Sequence, residues 1–266
     1  MEALVMGGTG FIGRRLVSQL LKADCEVTIA TSGRTANPFD ERVNAVVFNR
    51  FDPKSIEHEM APYENFDVHY DQIGFGPDDI KPILEIFHDK IQHYVFTSSK
   101  AVYAGSKAGF IEEDFDPRIV KPRKGGIANL GYAEGKRSAE AHLFQKAPFD
   151  VTAARFPIVL GPDDSTGRFQ THVRRVMKKE AVVIPAFCGR TNYIWVEDAG
   201  RFLSWLGLEH KTGTYNAASS YILDANELVL RIGLLIKKDP IVLRQGEQRD
   251  DTLLRQGRLN CRRNES

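Results

Sequence analysis

Cysteine is scarce in this chain. Its three cysteines, Cys25, Cys188 and Cys261, are odd in number and far apart. They form no disulfide framework and no zinc-ligand pattern, and they point to a reducing, cytoplasmic home. Long apolar runs are missing as well: none approaches the ~20 residues that span a bilayer. Strand-like sequence begins at residue 2, which leaves no room for a leader peptide. Excess charge of either sign is also lacking. The 36 Lys and Arg against 35 Asp and Glu leave a net charge of +1, which predicts no strong attraction to nucleic acid or membrane. There is no internal repeat and no low-complexity tract. What remains is 42% hydrophobic and 27% charged, the balance of an ordinary globular chain. A length of 266 residues accommodates one α/β domain with a small lobe.

The most informative stretch is Leu4-Val5-Met6-Gly7-Gly8-Thr9-Gly10-Phe11-Ile12-Gly13. A short apolar run ends at Met6, and Phe11 to Lys22 then shows helical periodicity through Ile12, Leu16 and Leu20. The pattern reads as strand, tight turn, helix. Gly7 permits the sharp turn, Gly10 lets backbone approach a pyrophosphate, and Gly13 lets helix pack on strand. The helix N-terminus presents unpaired N–H groups to phosphates.

Glu26 to Thr31 reads as a second strand, whose end meets the adenosine ribose in such sites. A carboxylate there binds the 2′-hydroxyl of NAD. This chain has Thr31-Ser32-Gly33-Arg34 instead, and Arg34 is suited to a 2′-phosphate. NADP is therefore the preferred cofactor, with NAD the alternative. Asn44 to Phe48 predicts a third strand, and Asn49 and Arg50 close it where adenine sits. Pro53 to Met60 predicts a short helix. Phe66 to Ile73 is a fourth strand broken by polar residues, with His69 read as a structural histidine. Pro77 to Lys90 is a helix with Pro77 in its first turn, and His93 to Ser98 a fifth strand. Alternating strands and helices with such apolar strands predict a parallel, doubly wound sheet.

Ligands bind beyond the carboxyl ends of such strands. That rule points to Ser98 and Ser99, and to Gly131-Tyr132-Ala133-Glu134-Gly135-Lys136 in a helix predicted over 129–146. Tyr132 and Lys136 are four apart and share a helix face. A free phenol titrates near ~10, and a neighbouring ammonium favours its ionised form. Tyr132 is thus a candidate general acid or base, Lys136 its electrostatic partner and ribose ligand, and Ser99 a donor to the substrate oxygen. Tyr103 and Lys107 repeat the spacing, but in a glycine-containing segment without a helix to carry them.

Together, Gly7-x-x-Gly10-x-x-Gly13, Ser99 followed by Val102-Tyr103, and Tyr132-x-x-x-Lys136 resemble the short-chain dehydrogenase/reductase superfamily. Four further stretches resemble its extended branch, the NAD-dependent epimerase/dehydratase family. These are Glu112-Glu113-Asp114, Arg155 to Pro162, Tyr193 to Asp198, and Thr214-Tyr215-Asn216. The resemblance covers roughly residues 1 to 236. It implies a Rossmann-like fold with Ser99, Tyr132 and Lys136 as catalytic residues. It implies pyrophosphate contacts from Gly7, Thr9, Gly10, Phe11, Ile12 and Gly13. Ser32, Gly33 and Arg34 would meet the ribose, and Asn49 and Arg50 the adenine. Ile73, Gly74, Phe75 and Ser98 would meet the middle of the cofactor, and Phe156, Pro157 and Ile158 the nicotinamide. Asn49 departs from the aspartate usual there, although an amide also hydrogen-bonds adenine.

Val151 to Phe156 predicts a sixth strand. The division expected is a dinucleotide-binding domain over 1–160 and a small substrate lobe over 161–266, with about 193–217 returning to the first. Tyr193 to Val196 is expected to rejoin the main sheet. Arg168 is a candidate clamp for a substrate anion. Residues 169–180 form a basic helix without the aromatic platform of a single-strand binder. Asp224 and Glu227 form a capping box opening a helix to Lys237. Beyond Leu243 the chain is polar. These features predict an oxidoreductase or epimerase acting by hydride transfer on an alcohol or carbonyl, with a nucleotide sugar as the family-level substrate. A dehydratase would need a further acid or base, for which Glu134 and Asp163 are candidates. No metal is expected, and a homodimer through helices 77–90 and 129–146 is. The competing class is a cofactor-binding protein that binds RNA or senses redox state; the near-zero net charge speaks against the RNA version.

Overall fold

The computed structural model describes residues 1–105, 107, 109–186 and 189–245. Cys188, Cys261 and the polar stretch from 246 onward lie outside the described residues. The described residues form two compact units, Met1–Ser165 with Asn192–Ser220, and Thr166–Thr191 with residues 221–245.

The first unit carries β1 (Glu2–Met6), α1 (Phe11–Lys22), β2 (Glu26–Thr31), β3 (Asn44–Val47), α2 (Pro53–Met60), β4 (Phe66–Asp71), α3 (Pro77–Ile86), β5 (Ile91–Ser99), α4 (Ile127–Lys146), β6 (Asp150–Phe156) and β7 (Ile158–Leu160). After the interval that contributes α5 (Arg168–Lys178) and β8 (Ala181–Ile184) to the second unit, the chain returns with β9 (Thr191–Trp195), α6 (Val196–Leu208) and β10 (Gly213–Asn216). Seven strands form one sheet in the order β10-β6-β5-β4-β1-β2-β3, with every neighbouring pair parallel. The order reverses between β1 and β4, which opens a crevice beyond their carboxyl ends.

Strand alternation feeds two cores. Ala3 and Val5 face one side of the sheet with Leu16, Leu20, Leu203 and Leu206 from α1 and α6. Leu4 and Met6 face the other with Ile56, Ile80, Ile83 and Leu143 from α2, α3 and α4. Each such Val, Leu, Ile or Met side chain contributes about 1.5–3 kcal/mol when fully buried. Because both faces are covered, β1 reads as a nearly continuous apolar run, whereas β4 also buries His69 and Asp71.

Element positions follow the sequence periodicity, with instructive departures. β4 stops at Asp71 rather than Ile73, because the Asp71 carboxylate accepts a hydrogen bond from the Ile73 N–H at 2.9 Å and turns the chain. α3 ends at Ile86 rather than Lys90. α4 begins two residues early and is interrupted at Gly131 (φ 71°, ψ 176°), so the continuous helix starts with Tyr132. Tyr193 to Trp195 does not rejoin the main sheet as expected: β9 pairs in parallel with β7. The strand that does rejoin it is β10, on β6.

The second unit contains α5, β8, β11 (Ile222–Leu223), α7 (Ala225–Ile236) and β12 (Ile241–Arg244), with β8 and β12 paired in parallel. Val176, Val182, Ile184, Val229 and Ile232 make its core. The capping box forms: Glu227 N–H donates to Asp224 at 2.7 Å, and Asp224 N–H to Glu227 at 2.9 Å. Among the described residues, no helix is long and apolar enough to cross a membrane.

Candidate active site

The glycine turn is a tight backbone knot. Gly7 has φ +83°, its N–H donates to Ala30 O at 3.0 Å, and Gly10 N–H donates to Gly7 O at 3.0 Å. A Cβ on Gly13 would lie 2.2 Å from Gly7 O, so only glycine lets α1 sit this close. Gly10 is the N-cap of α1. It brings no side chain to cap the helix, and the first turn holds no acidic residue. The first N–H groups are therefore left for an anion. The turn opens on a cleft of about 370 Å³, which Thr9, Gly10, Ser32, Arg34, Asn49 and Ile73 help to line. A bare backbone cradle of this kind fits the pyrophosphate of a dinucleotide.

At the end of β2, Thr31 Oγ1 accepts from Gly33 N–H at 3.1 Å and shapes the Ser32–Arg34 loop. Arg34 is exposed and, among the described residues, has no acidic partner. Asn49 and Arg50 differ from each other in what they offer. The Asn49 amide oxygen accepts from Phe51 N–H at 3.1 Å. The Arg50 guanidinium turns inward. It makes two bonds to Asp71, at 3.2 and 2.9 Å, and one to Asp79 O at 2.7 Å. Asp71 is fully buried, and burial works against its charge. The adjoining Arg50 outweighs that cost and holds the carboxyl well below the usual carboxylate range. Tyr94 adds a hydrogen bond to Asp71 at 2.6 Å. The Arg50–Asp71 pair anchors the turn at Ile73, and Asp79 holds the N–H groups of Phe75 and Gly76 at 2.6 and 2.9 Å. The sequence reading missed Asp71 and Asp79. A carboxylate at the end of an apolar central strand is the signal that marks Asp71.

The proposed proton-transfer group lies on α4. Lys136 is buried; its Nζ donates to Gly74 O at 2.6 Å and Thr97 O at 2.7 Å, and sits 4.6 Å from the centres of both the Phe75 and Phe96 rings. Burial lowers its pKa to about 8. Gly135 makes this reach feasible, since a Cβ there would lie 2.3 Å from Phe75 O. Tyr132, one turn earlier, is 47% exposed, with its ring 6.3 Å from that of Phe75. Ser99 ends β5, buried, and its Oγ accepts from Ala101 N–H at 3.2 Å. Ser98 points elsewhere, donating to Glu140 inside α4.

Glu140, four residues after Lys136, was not singled out from the sequence. It pairs with Arg155 at 2.8 Å with both side chains fully buried. Arg155 also donates to Tyr103 Oη at 3.0 Å, Glu112 O at 3.0 Å and Phe115 O at 2.9 Å. Tyr103 donates to Asn216 Oδ1 at 2.6 Å, and Asn216 N–H to Glu112 Oε1 at 2.7 Å. These contacts tie α4, β6 and β10 together, and they give Glu112, Arg155 and Asn216 a structural use. Lys107 pairs with Asp114 at 2.7 Å, so the second Tyr-x-x-x-Lys spacing is absorbed by structural contacts.

Phe156 is buried, edge-on to Phe202, beside Ser99 in strand register. Pro157 and Ile158 follow, half-buried. Asp163 pairs with Arg15 at 3.0 Å, and Glu134 accepts from Ser138 Oγ at 2.9 Å. Arg168 is exposed at the start of α5, in the second unit. His69 is buried between the Tyr94 and Phe87 rings, and burial lowers its pKa to about 4, so it is a neutral core residue at pH 7. Among the described residues no cluster of His, Cys, Asp or Glu is arranged to hold a metal.

The model of the NAD dependent epimerase/dehydratase family matches residues 3–218. Among curated proteins, the chloroplast stem-loop binding protein of 41 kDa b from Arabidopsis thaliana is 31% identical over 175 residues. That stretch is 60% of this chain and 43% of the plant protein, so the match spans less than half of the relative's length. Among solved structures, UDP-glucose 4-epimerase of Thermus thermophilus in complex with NAD superposes with a TM-score of 0.73 at 20% identity, covering 97% of this chain and 93% of that one. The dTDP-glucose 4,6-dehydratase of Bacillus anthracis in complex with NAD gives a TM-score of 0.73 at 17% identity, covering 94% and 86%. At these identities the likeness is one of fold.

Proposed function

The chain belongs to the NAD-dependent epimerase/dehydratase family, and from that premise we propose that it is a nicotinamide-dependent enzyme acting on an alcohol or carbonyl substrate. When bound, the nicotinamide accepts or returns a hydride. The chain's own residues do the rest. The Gly7–Gly13 turn and the open N-terminus of α1 hold the pyrophosphate. In reduction, Tyr132 gives its hydroxyl proton to the substrate oxygen; in oxidation it takes that proton back. Ser99 Oγ donates to the same oxygen. Lys136 spends two of its three N–H donors on Gly74 O and Thr97 O, which leaves one for a ribose hydroxyl. Phe156, Pro157 and Ile158 border the nicotinamide. An epimerase would return the hydride to the opposite face of the keto group.

This reading is supported by two features: an uncapped glycine cradle at the start of α1 and, on α4, a buried lysine one helical turn from an exposed tyrosine. Arg34, exposed at the ribose end without an acidic neighbour, favours NADP over NAD. A nucleotide sugar is the substrate class, supported by similar folds solved with UDP-glucose. The α3 and α4 faces are the proposed homodimer contact, and a monomer in sedimentation would remove it. The test of the chemistry is a screen of NADPH-loaded protein against nucleotide sugars and small carbonyls, read as loss of nicotinamide absorbance. Activity with at least one compound should vanish in Tyr132→Phe while NADPH binding persists; full activity in that variant would overturn the assignment.

A second reading, nucleic-acid binding, has a specific observation behind it. The near-neutral whole-chain charge conceals a segregation. Residues 166–191 and 221–245 carry ten Lys and Arg against four Asp and Glu. On α5, Arg174 and Lys178 are both exposed, one turn apart. The plant relative is named for stem-loop binding, and an RNA stem-loop is the probe we choose. Salt-sensitive RNA retardation that is lost in Arg174→Gln/Lys178→Gln would support this reading, and no retardation at low salt would remove it.

A further inference from the structure

We infer that the ring of Phe51 is the adenine platform of the cleft, an assignment that rests on the dinucleotide reading above. The two residues that the family resemblance offers to adenine are differently engaged here. Arg50 is 7% exposed, and its guanidinium is committed to Asp71 and Asp79 O. Asn49 uses its amide oxygen to hold Phe51 N–H. The next side chain along, Phe51, is 64% exposed and lines the same cleft as Arg34 and Gly10.

The backbone around that ring is fixed. Phe51 N–H is held by Asn49 Oδ1 at 3.1 Å, and Asp52 N–H donates to Asn49 O at 2.9 Å. Asp52 then caps α2 by accepting from Lys54 N–H at 3.1 Å. A single exposed phenylalanine on an open surface needs no explanation. This one is pinned on a short turn and lines a concave site, and aromatic side chains are common ligand contacts in such sites. Adenine is flat and presents a π-face to any aromatic side chain. Arg34, lining the same cleft, adds a cation that can stack on the base or pair with a 2′-phosphate. A stacked contact from Phe51 thus joins the polar one that the Asn49 amide NH2 can offer from the same cleft. Arg50, although it borders the cleft, has its guanidinium committed to Asp71 and Asp79 O.

The experiment is a fluorescence titration of the full chain with NADPH and NADH. The Phe51→Ala variant is expected to raise both dissociation constants about tenfold, from the loss of one base–aromatic stack. Phe51→Trp is expected to keep both within about twofold. Phe51 is surface-exposed, so a thermal melt of each variant should match the wild type. Wild-type binding that survives unchanged in Phe51→Ala overturns the platform alone. No binding of either nucleotide by the wild type overturns the dinucleotide reading beneath it.

Discussion

Replacing Gly135 by alanine tests how Lys136 reaches the backbone carbonyls of Gly74 and Thr97. A Cβ at position 135 would stand 2.3 Å from Phe75 O, a backbone atom that cannot rotate away. Ordinary contact needs more than 3.4 Å, so α4 and the Gly74–Phe75 turn must part by about 1 Å. Overpacking of this kind costs about 1–3 kcal/mol. The Gly→Ala gain in helix propensity offsets about 1 kcal/mol of that. The net expectation is a loss of up to ~2 kcal/mol, or a fall in Tm of up to about 8 °C for a domain of this size. The same separation stretches the 2.6 Å bond from Lys136 Nζ to Gly74 O beyond hydrogen-bond range. NADPH affinity should fall with stability. Differential scanning calorimetry and a fluorescence titration measure the two effects. Gly126→Ala is the control, since its added Cβ meets nothing within 4 Å and its φ is negative. A Gly135→Ala protein that melts higher than the wild type and binds NADPH normally would refute the close-packing argument.

Two further outcomes are expected. Arg34→Ala should weaken NADPH by about tenfold or more and leave NADH within about twofold, since a charge-assisted phosphate contact is worth roughly 1.5–3 kcal/mol; equal losses would remove the basis for preferring NADP. His69, held neutral by burial with a pKa near 4, makes stability acid-sensitive. Between pH 6.5 and 4 the unfolded chain binds a proton that the native imidazole refuses, so its contribution is full above pH 6.5 and lost as pH falls to 4. The shift corresponds to on the order of 3 kcal/mol. Urea midpoints of His69→Leu should therefore fall less over that window than those of the wild type; parallel profiles would count against it.

How much of this was legible in the sequence depended on how local the signal was. The α1 span, the glycine turn and the β2 span follow from periodicity and spacing, because each is decided within about ten residues. The Asp224–Glu227 cap is local in the same sense. The Arg50–Asp71 and Arg155–Glu140 pairs are not. Their partners lie 21 and 15 residues apart, joined only by strand register and helix packing. The misplaced expectation for Tyr193–Val196 has the same origin: an apolar strand does not declare which neighbour it will pair with. Charge segregation was hidden differently, since a whole-chain sum cancels a negative large unit against a positive small one. Gly131 shows the finest grain, where one residue of left-handed φ resets the start of the helix at Tyr132.

Gly10→Asp with a nucleotide titration addresses the core of the account. Gly10 has φ −78° and extended ψ, and an added Cβ meets only Gly7 O at 3.2 Å, so the backbone accepts a side chain after a small adjustment. Aspartate is a favoured N-cap and should leave α1 as stable as before, or a few tenths of a kcal/mol more so. It also sets a carboxylate in the backbone cradle proposed for the pyrophosphate. The account predicts saturable one-to-one binding of NADPH or NADH to the wild type, and loss of that binding in a Gly10→Asp protein that melts normally. Undiminished binding in the variant would contradict it.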